Sequence, residues 1–310
     1  MKKTLKAISV FLVVLLALSA TVFGYNRIML ASEESLLREP VGQYVEVDGH
    51  RMNIYTEGEG EHTLLFLAGS GTAAPVLNFK CLYSLLSNDY RIVVIEKFGY
   101  GFSDVVDTER SFKTILRQDR EALAKAGIEG PFVLCPHSMS GLEAIMWTQE
   151  YPEEVEAIAG LDMVVPGSYD GYDFEGTVRF EKLAALGREM GIIRFYYADS
   201  FLPEGLSRED KELCRAIACR SAVNDDVIKE TEAVSDAVKQ IESKPKPDIP
   251  MLMFVSDGTG TGIENWAGAP HAYAQGLSNV KLIDLGCSHE VHNIEQERIA
   301  GEIRAFLNNA

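Results

Sequence analysis

Residues 131–147 read PFVLCPHSMSGLEAIMW. Residues 132–135 are an unbroken apolar run, the pattern of a strand covered on both faces, whereas the segment after Ser140 has the composition of a helix. Ser138 falls at the junction, where a tight strand-to-helix turn can hold a side chain clear of the backbone. A serine in that place is either a plain helix N-cap or a nucleophile. The choice depends on partners supplied elsewhere along the chain.

Outward from this junction the pattern is regular. Residues 44–47 and 52–55 flank Asp48-Gly49, a hairpin signal. Apolar strands follow at 63–68, 90–96, 131–136, 155–162, 250–256 and 280–286. Helical patterns separate most of them, at 75–88, 111–127, 139–150, from the 260s to 277, and at 293–308. Strand–helix alternation after a hairpin predicts an α/β fold with a mostly parallel sheet and helices on both faces. The alternation stops between Asp162 and Pro250. Residues 165–247 hold acidic helical stretches such as RFEKLAALGREM, and SKPKPDIP (243–250) marks the return to the sheet. The expectation is a core of residues 43–164 and 248–310, with a helical lid over 165–247 between its halves.

The chain has 310 residues, 46% hydrophobic and 24% charged, enough for one large core. A net charge of −17 with no basic stripe excludes nucleic acid as a partner. The amino terminus stands apart. Lys2, Lys3 and Lys6 precede AISVFLVVLLALSATVFG (7–24), 18 residues without charge. That length is the lower limit for crossing a bilayer and also suits a long signal-peptide core. Only Ala17-Leu18-Ser19 offers a cleavage site. The lysines orient the start inside and the main body outside. Residues 1–30 are therefore expected to be a membrane anchor or signal segment, with an extracytoplasmic body, secreted if the segment is cleaved. Without them 25 basic residues face 46 acidic ones, a net −21. Five scattered cysteines, with no CxxC, make neither a disulfide framework nor a zinc site.

A serine nucleophile needs a base, a group orienting that base, and donors for an oxyanion. A parallel sheet supplies all of these from the carboxyl ends of its strands. Ser138 ends one strand, Asp162 ends the next, and His289 follows the last. Ser, acid, His is the chain order of nucleophile-elbow enzymes. His292 lies three residues on, at or near a helix start. His137 is expected to be structural, and His50, His62 and His271 fall in turns or on the surface.

From about residue 43 to its end the chain resembles the α/β-hydrolase superfamily. HSMSG (137–141) is similar to the Gly-x-Ser-x-Gly elbow, EKFGYGFSD (96–104) to the Gly-x-Gly-x-Ser turn, FLAGSGT (66–72) to the His-Gly oxyanion loop, and CSHEVHNIEQERIAGEIRAFL (287–307) to the terminal histidine and helix. Pro136 and Ser140 stand where the elbow usually has glycine, and Ala68 replaces the usual histidine. The resemblance implies Ser138 as nucleophile, His289 as base and the backbone amides of Ser70 and Met139 as oxyanion donors. Gly69 and Gly71 would let that loop approach closely.

Most such families place the acid after the strand written here PMLMFVSDGTG, which points to Asp257. Counting about three residues past Ser256 reaches Thr259 instead. Asp162, at the tip of the strand after the nucleophile, resembles the acid of haloalkane dehalogenases and some lipases. Asp162 is therefore the expected acid and Asp257 the alternative. Chemistry of this kind requires no metal or organic cofactor. The implied activity is that of a serine hydrolase cleaving a small carboxylic ester or related acyl substrate through an acyl-enzyme. The alternatives are a peptidase or lactonase, or a ligand-binding protein on the same scaffold. Dehalogenases and epoxide hydrolases share the architecture but use Asp where this chain has Ser138. Phe174, Phe180, Phe195, Tyr196, Tyr197 or Phe201 are expected to line the site from the lid.

Overall fold

The computed structural model describes residues 2–198 and 202–308. Its strands are β1 (Gln43–Val47), β2 (His50–Glu57), β3 (Thr63–Leu67), β4 (Arg91–Glu96), β5 (Phe132–Ser138), β6 (Val155–Met163), β7 (Met251–Val255) and β8 (Val280–Asp284). They form one sheet in the order β1-β2-β4-β3-β5-β6-β7-β8. β2 runs antiparallel to β1 and β4, and every other pairing is parallel. Asp48 and Gly49 turn the first hairpin with φ of 52° and 79°, the left-handed pair of a two-residue loop. Every residue of β3 and β7 is buried, which is why these strands read as continuous apolar runs rather than alternating ones.

α1 (Lys2–Glu33) precedes the sheet. α2 (Pro75–Asn78) and α3 (Lys80–Leu86) follow β3, α4 (Phe112–Lys125) follows β4, and α5 (Ser140–Glu150) follows β5. Between β6 and β7 come α6 (Phe174–Glu189), α7 (Ile193–Tyr196), α8 (Arg208–Ser221) and α9 (Asp225–Glu242). α10 (Gly268–Ala274) follows β7, and α11 (Val291–Ile294) and α12 (Gln296–Leu307) follow β8. Phe79, Leu82 and Leu86 pack with Ile299 and Ile303 on one face of the sheet. Leu116, Leu142, Trp147, Val234 and Ala269 cover the other. The fold is the expected α/β sandwich with helices on both faces.

Three helices are shorter than the sequence pattern suggests. The stretch 75–88 is two short helices meeting at Phe79, whose ring packs between Phe66 and His292 at 5.2 and 4.9 Å. Residues 258–262 are held out of helix by the left-handed Gly258, Gly260 and Gly262. Glu295, at φ −113°, separates α11 from α12.

Two buried carboxylate networks tie the loops to the sheet. Glu96, at the end of β4, accepts hydrogen bonds from Asn53 Nδ2 (2.9 Å), Phe102 N (2.7 Å) and Val76 N (3.2 Å). Burial still pushes its carboxyl up to about 7. A Cβ on Gly101 would lie 2.0 Å from this carboxylate, so the turn after β4 requires glycine there. Lys97 Nζ donates to Glu230 Oε1 of α9 (2.5 Å) and Glu143 Oε2 of α5 (3.3 Å), while Tyr100 OH donates to Glu230 Oε2 (2.9 Å). Burial alone would depress the Lys97 ammonium; the carboxylates of Glu230 and Glu143 outweigh it and hold Lys97 charged. This network fixes α9 over the carboxyl end of the sheet.

Candidate active site

β5 ends on Ser138 with φ 54°, a left-handed conformation that costs a non-glycine residue energy. The β5–β6 register shifts between His137 and Ser138, freeing the serine from the ladder just before α5 begins. Ser140 Oγ lies 2.7 Å from Leu67 O and 2.8 Å from His137 O, so its hydroxyl stitches the turn to β3. That bonding explains a serine where glycine is usual in the elbow. Gly141 keeps the helix close to β6, since a Cβ there would meet Val164 O at 2.1 Å. A Cβ on Gly69 would lie 2.6 Å from Ser138 Cβ, so the loop of Ser70 can pass the serine only without a side chain at 69. Ser70 and Met139 line the same cavity as Ser138.

Asp162, next to last in β6, shares the left-handed conformation, φ 54°. Its side chain is 1% exposed. Oδ1 accepts from Ser256 N (2.7 Å) and Trp266 Nε1 (2.9 Å), and Oδ2 accepts from His289 Nδ1 (2.6 Å). Burial pushes this carboxyl upward, but the hydrogen bond and charge of His289, with the Ser256 bonds, hold it below the usual carboxylate value. In the neutral ring, donation from Nδ1 makes Nε2 the acceptor nitrogen. Asp257 is exposed, and its Oδ1 accepts from Thr259 N at 2.8 Å. Among the described residues, the carboxylate bonded to His289 is that of Asp162.

His289 is sandwiched. His137 lies on one side with ring centroids 4.5 Å apart, and Trp266 meets it edge-on at 4.8 Å. Behind His137, His292 Nε2 donates to Asn78 Oδ1 at 2.7 Å. Burial, then the nearby His289 charge, pushes His137 down to about 4; burial and His137 push His292 down to about 3. Both rings are therefore neutral at physiological pH. His137, Glu290 and His292 bring potential ligand atoms within 4.8 Å of one another. His292 Nε2 stands 3.5 Å from Glu290 Oε2 and is already bonded to Asn78 Oδ1. The other histidines lie elsewhere: His62 pairs with Glu156 and His271 with Asp284.

No family model matches the chain. The uncharacterized protein YbdG of Bacillus subtilis is 37% identical over 310 residues, 96% of this chain and 95% of its own. Three solved structures share the architecture. Epoxide hydrolase VrEH1 from Vigna radiata superposes with a TM-score of 0.70 at 17% identity, over 86% of this chain and 97% of its own. Cfl2 from Burkholderia cenocepacia gives 0.67 at 22%, over 85% and 94%. The serine hydrolase CarC of carbazole degradation gives 0.62 at 15%, over 88% and 100%. The chain is a relative of YbdG and has the α/β-hydrolase fold.

Within this fold, Ser138 and His289 open on a cavity of about 240 Å³. Tyr169, Tyr172, Phe174 and Trp266 supply its aromatic wall, and Thr177 and Glu181 of α6 close one side. Of the aromatics expected there, Phe174 lines the cavity and Phe180 lines the adjoining cleft. Phe195 and Tyr196 point to the surface, 67% and 66% exposed, and Tyr197 packs beside Leu202 and Cys214 instead. These three sit on or just after α7, which docks on α1 and α8 rather than over the sheet. Phe201 lies outside the described residues. Tyr169, Tyr172 and Trp266 carried no periodic signal, because they sit in irregular segments where neither helix nor strand spacing marks a buried face.

Proposed function

We propose that this α/β hydrolase cleaves carboxylic esters through an acyl-enzyme on Ser138. The observation that carries the reading is that Ser138, strained into a left-handed turn, shares a cavity with His289, whose Nδ1 is held by the buried Asp162. Ser138 Oγ attacks the ester carbonyl as its proton passes to His289 Nε2. Asp162 stabilises the imidazolium that results, and its hydrogen bonds from Ser256 and Trp266 keep it aligned. The oxyanion is taken by the backbone N–H groups of Met139 and Ser70. His289 then protonates the departing alcohol. Water repeats the sequence on the acyl-enzyme, releasing the acid and restoring Ser138.

Residues 165–247 act as a lid on this site, since α6 contributes to the cavity wall and α9 is bolted to the core through Glu230 and Lys97. α1, long and apolar enough to cross a membrane, with mean hydropathy 2.5 over its most apolar 18 residues, anchors the chain. The lysines at its start place the hydrolase body outside the cytoplasm. Epoxide hydrolysis and carbazole degradation belong to VrEH1 and CarC; here the serine at the elbow favours acyl transfer. Turnover of a chromogenic short-chain ester, lost in Ser138→Ala, tests the reading. Equal turnover by Ser138→Ala would overturn it.

A further inference from the structure

α6 has two unlike faces. Phe174, Thr177 and Glu181 border the cavity of Ser138 and His289. Phe180, Leu183 and Leu186, spaced three apart, stand 70%, 65% and 58% exposed. Ile192 and Phe195 continue the apolar surface just beyond the helix, 59% and 67% exposed. Single exposed apolar residues need no explanation; a run of five along one segment marks a surface that meets something.

At the end of this run α1 docks. Arg194 donates from both terminal nitrogens to Glu33 at 2.7 and 2.8 Å, and from Nε to Asn26 Oδ1 at 2.6 Å. The Arg194 and Glu33 side chains are only 7% and 11% exposed. Asn26 Nδ2 reaches Glu189 O at 3.5 Å, and a Cβ on Gly191 would lie 2.5 Å from Asn26 Cβ. Asn26 follows Phe23, the last large apolar side chain of the uncharged stretch, by three residues, about 4.5 Å along a helix rising about 1.5 Å per residue. When α1 spans a bilayer, this clamp therefore holds Gly191 and Arg194 at the headgroup level, and Ile192 and Phe195 with them.

The catalytic cavity opens toward the same surface. A cleft of about 740 Å³ shares Tyr172, Thr177, Gly260, Thr261 and Ile263 with the cavity and is also lined by Phe180. Phe180 begins the exposed stripe, so one continuous path leads from that stripe to Ser138.

We propose that the apolar stripe of α6, with Ile192 and Phe195, is seated in the face of the bilayer that α1 crosses. The substrate is then a lipophilic ester that leaves the lipid past Phe180 and reaches Ser138 through the cleft. The substrate half of this proposal rests on Ser138 being an ester-cleaving nucleophile. Seating does not, and it is measured apart from activity.

The full chain is reconstituted into phosphatidylcholine vesicles. The native tryptophans, Trp147 and Trp266, are both buried, so Leu183→Trp adds a surface reporter. Doxyl-labelled lipid should quench the added emission by about half, as for side chains held at the acyl boundary, while aqueous acrylamide quenches it weakly. Quenching by acrylamide alone, or by neither agent because protein covers the site, overturns the seating. Leu183→Asp combined with Leu186→Asp should lower kcat/KM about tenfold on a long-chain ester dissolved in the vesicles and leave a short water-soluble ester unchanged. Unchanged turnover of both esters overturns the route. Failure of the unsubstituted chain to hydrolyse either ester contradicts the ester-cleaving role and the substrate half with it, and the quenching measurement still decides the seating.

Discussion

His137 and His289 lie with their ring centroids 4.5 Å apart and their planes tilted by 31°. His137 immediately precedes the serine of the elbow, yet its ring backs the histidine from the far end of the chain. Two imidazolium ions at that distance would repel, so a neutral His137 is a condition for His289 to accept a proton in the proposed mechanism. Burial secures this by holding His137 down to about 4.

The same burial sets how the fold responds to acid. His137 and His292 are depressed from 6.5 to about 4 and about 3. The unfolded chain binds their protons first, so their stabilisation is complete above 6.5 and is lost as the pH falls from there through the folded values. Unfolding free energy, followed by denaturant titration in detergent, should therefore fall below pH 6.5 with a slope approaching two protons. His292→Gln should reduce that slope by about one proton. A flat profile from pH 6.5 to 4.5 would contradict the neutral pair.

Asp162→Asn should lower ester turnover by about three orders of magnitude or more, as neutralising the orienting acid does in other triads. Asp257→Asn, altering an exposed side chain that caps its own loop, should change it by less than about threefold. Steady-state kinetics of the two variants decides between them, and the reverse ranking would reject Asp162 as the acid.

In the proposed mechanism Trp266 is a positioning residue, acting through Asp162. Trp266→Phe keeps a ring against His289 and removes the indole N–H donated to Asp162 Oδ1. A hydrogen bond to a charged group contributes roughly 1.5–3 kcal/mol, so kcat should fall about ten- to a hundredfold. Because the effect passes through the Asp162–His289 pair, the acidic limb of the pH–rate profile should move while KM stays nearly constant. A change in KM with an unshifted profile would mean that the indole serves the cavity wall alone.

The sheet was legible because its inner strands are buried on both faces, so residues such as 92–95 and 132–135 could only be apolar. The elbow was legible for the same reason: the apolar run of β5 stops at a polar residue and a helix begins. Partners across long separations left no such trace. Nothing in GIENWAGA marks Trp266 as the donor to an aspartate 104 residues away, and nothing marks Ser140 as the bond to Leu67. Hydrophobic periodicity reports burial, and it is silent on which loop a polar atom meets. The helical insertion shows the limit most clearly. Phe174 and Phe195 look alike in sequence, but one lines the cavity while the other faces outward beside the clamp of α1.

The central claim is that Ser138 is the nucleophile. Intact mass and peptide mapping of the full chain treated with a fluorophosphonate test it most directly. One adduct per chain is expected, carried on the peptide that contains Ser138, absent in Ser138→Ala and strongly slowed in His289→Ala. An adduct retained by Ser138→Ala, or carried on another residue, would contradict it.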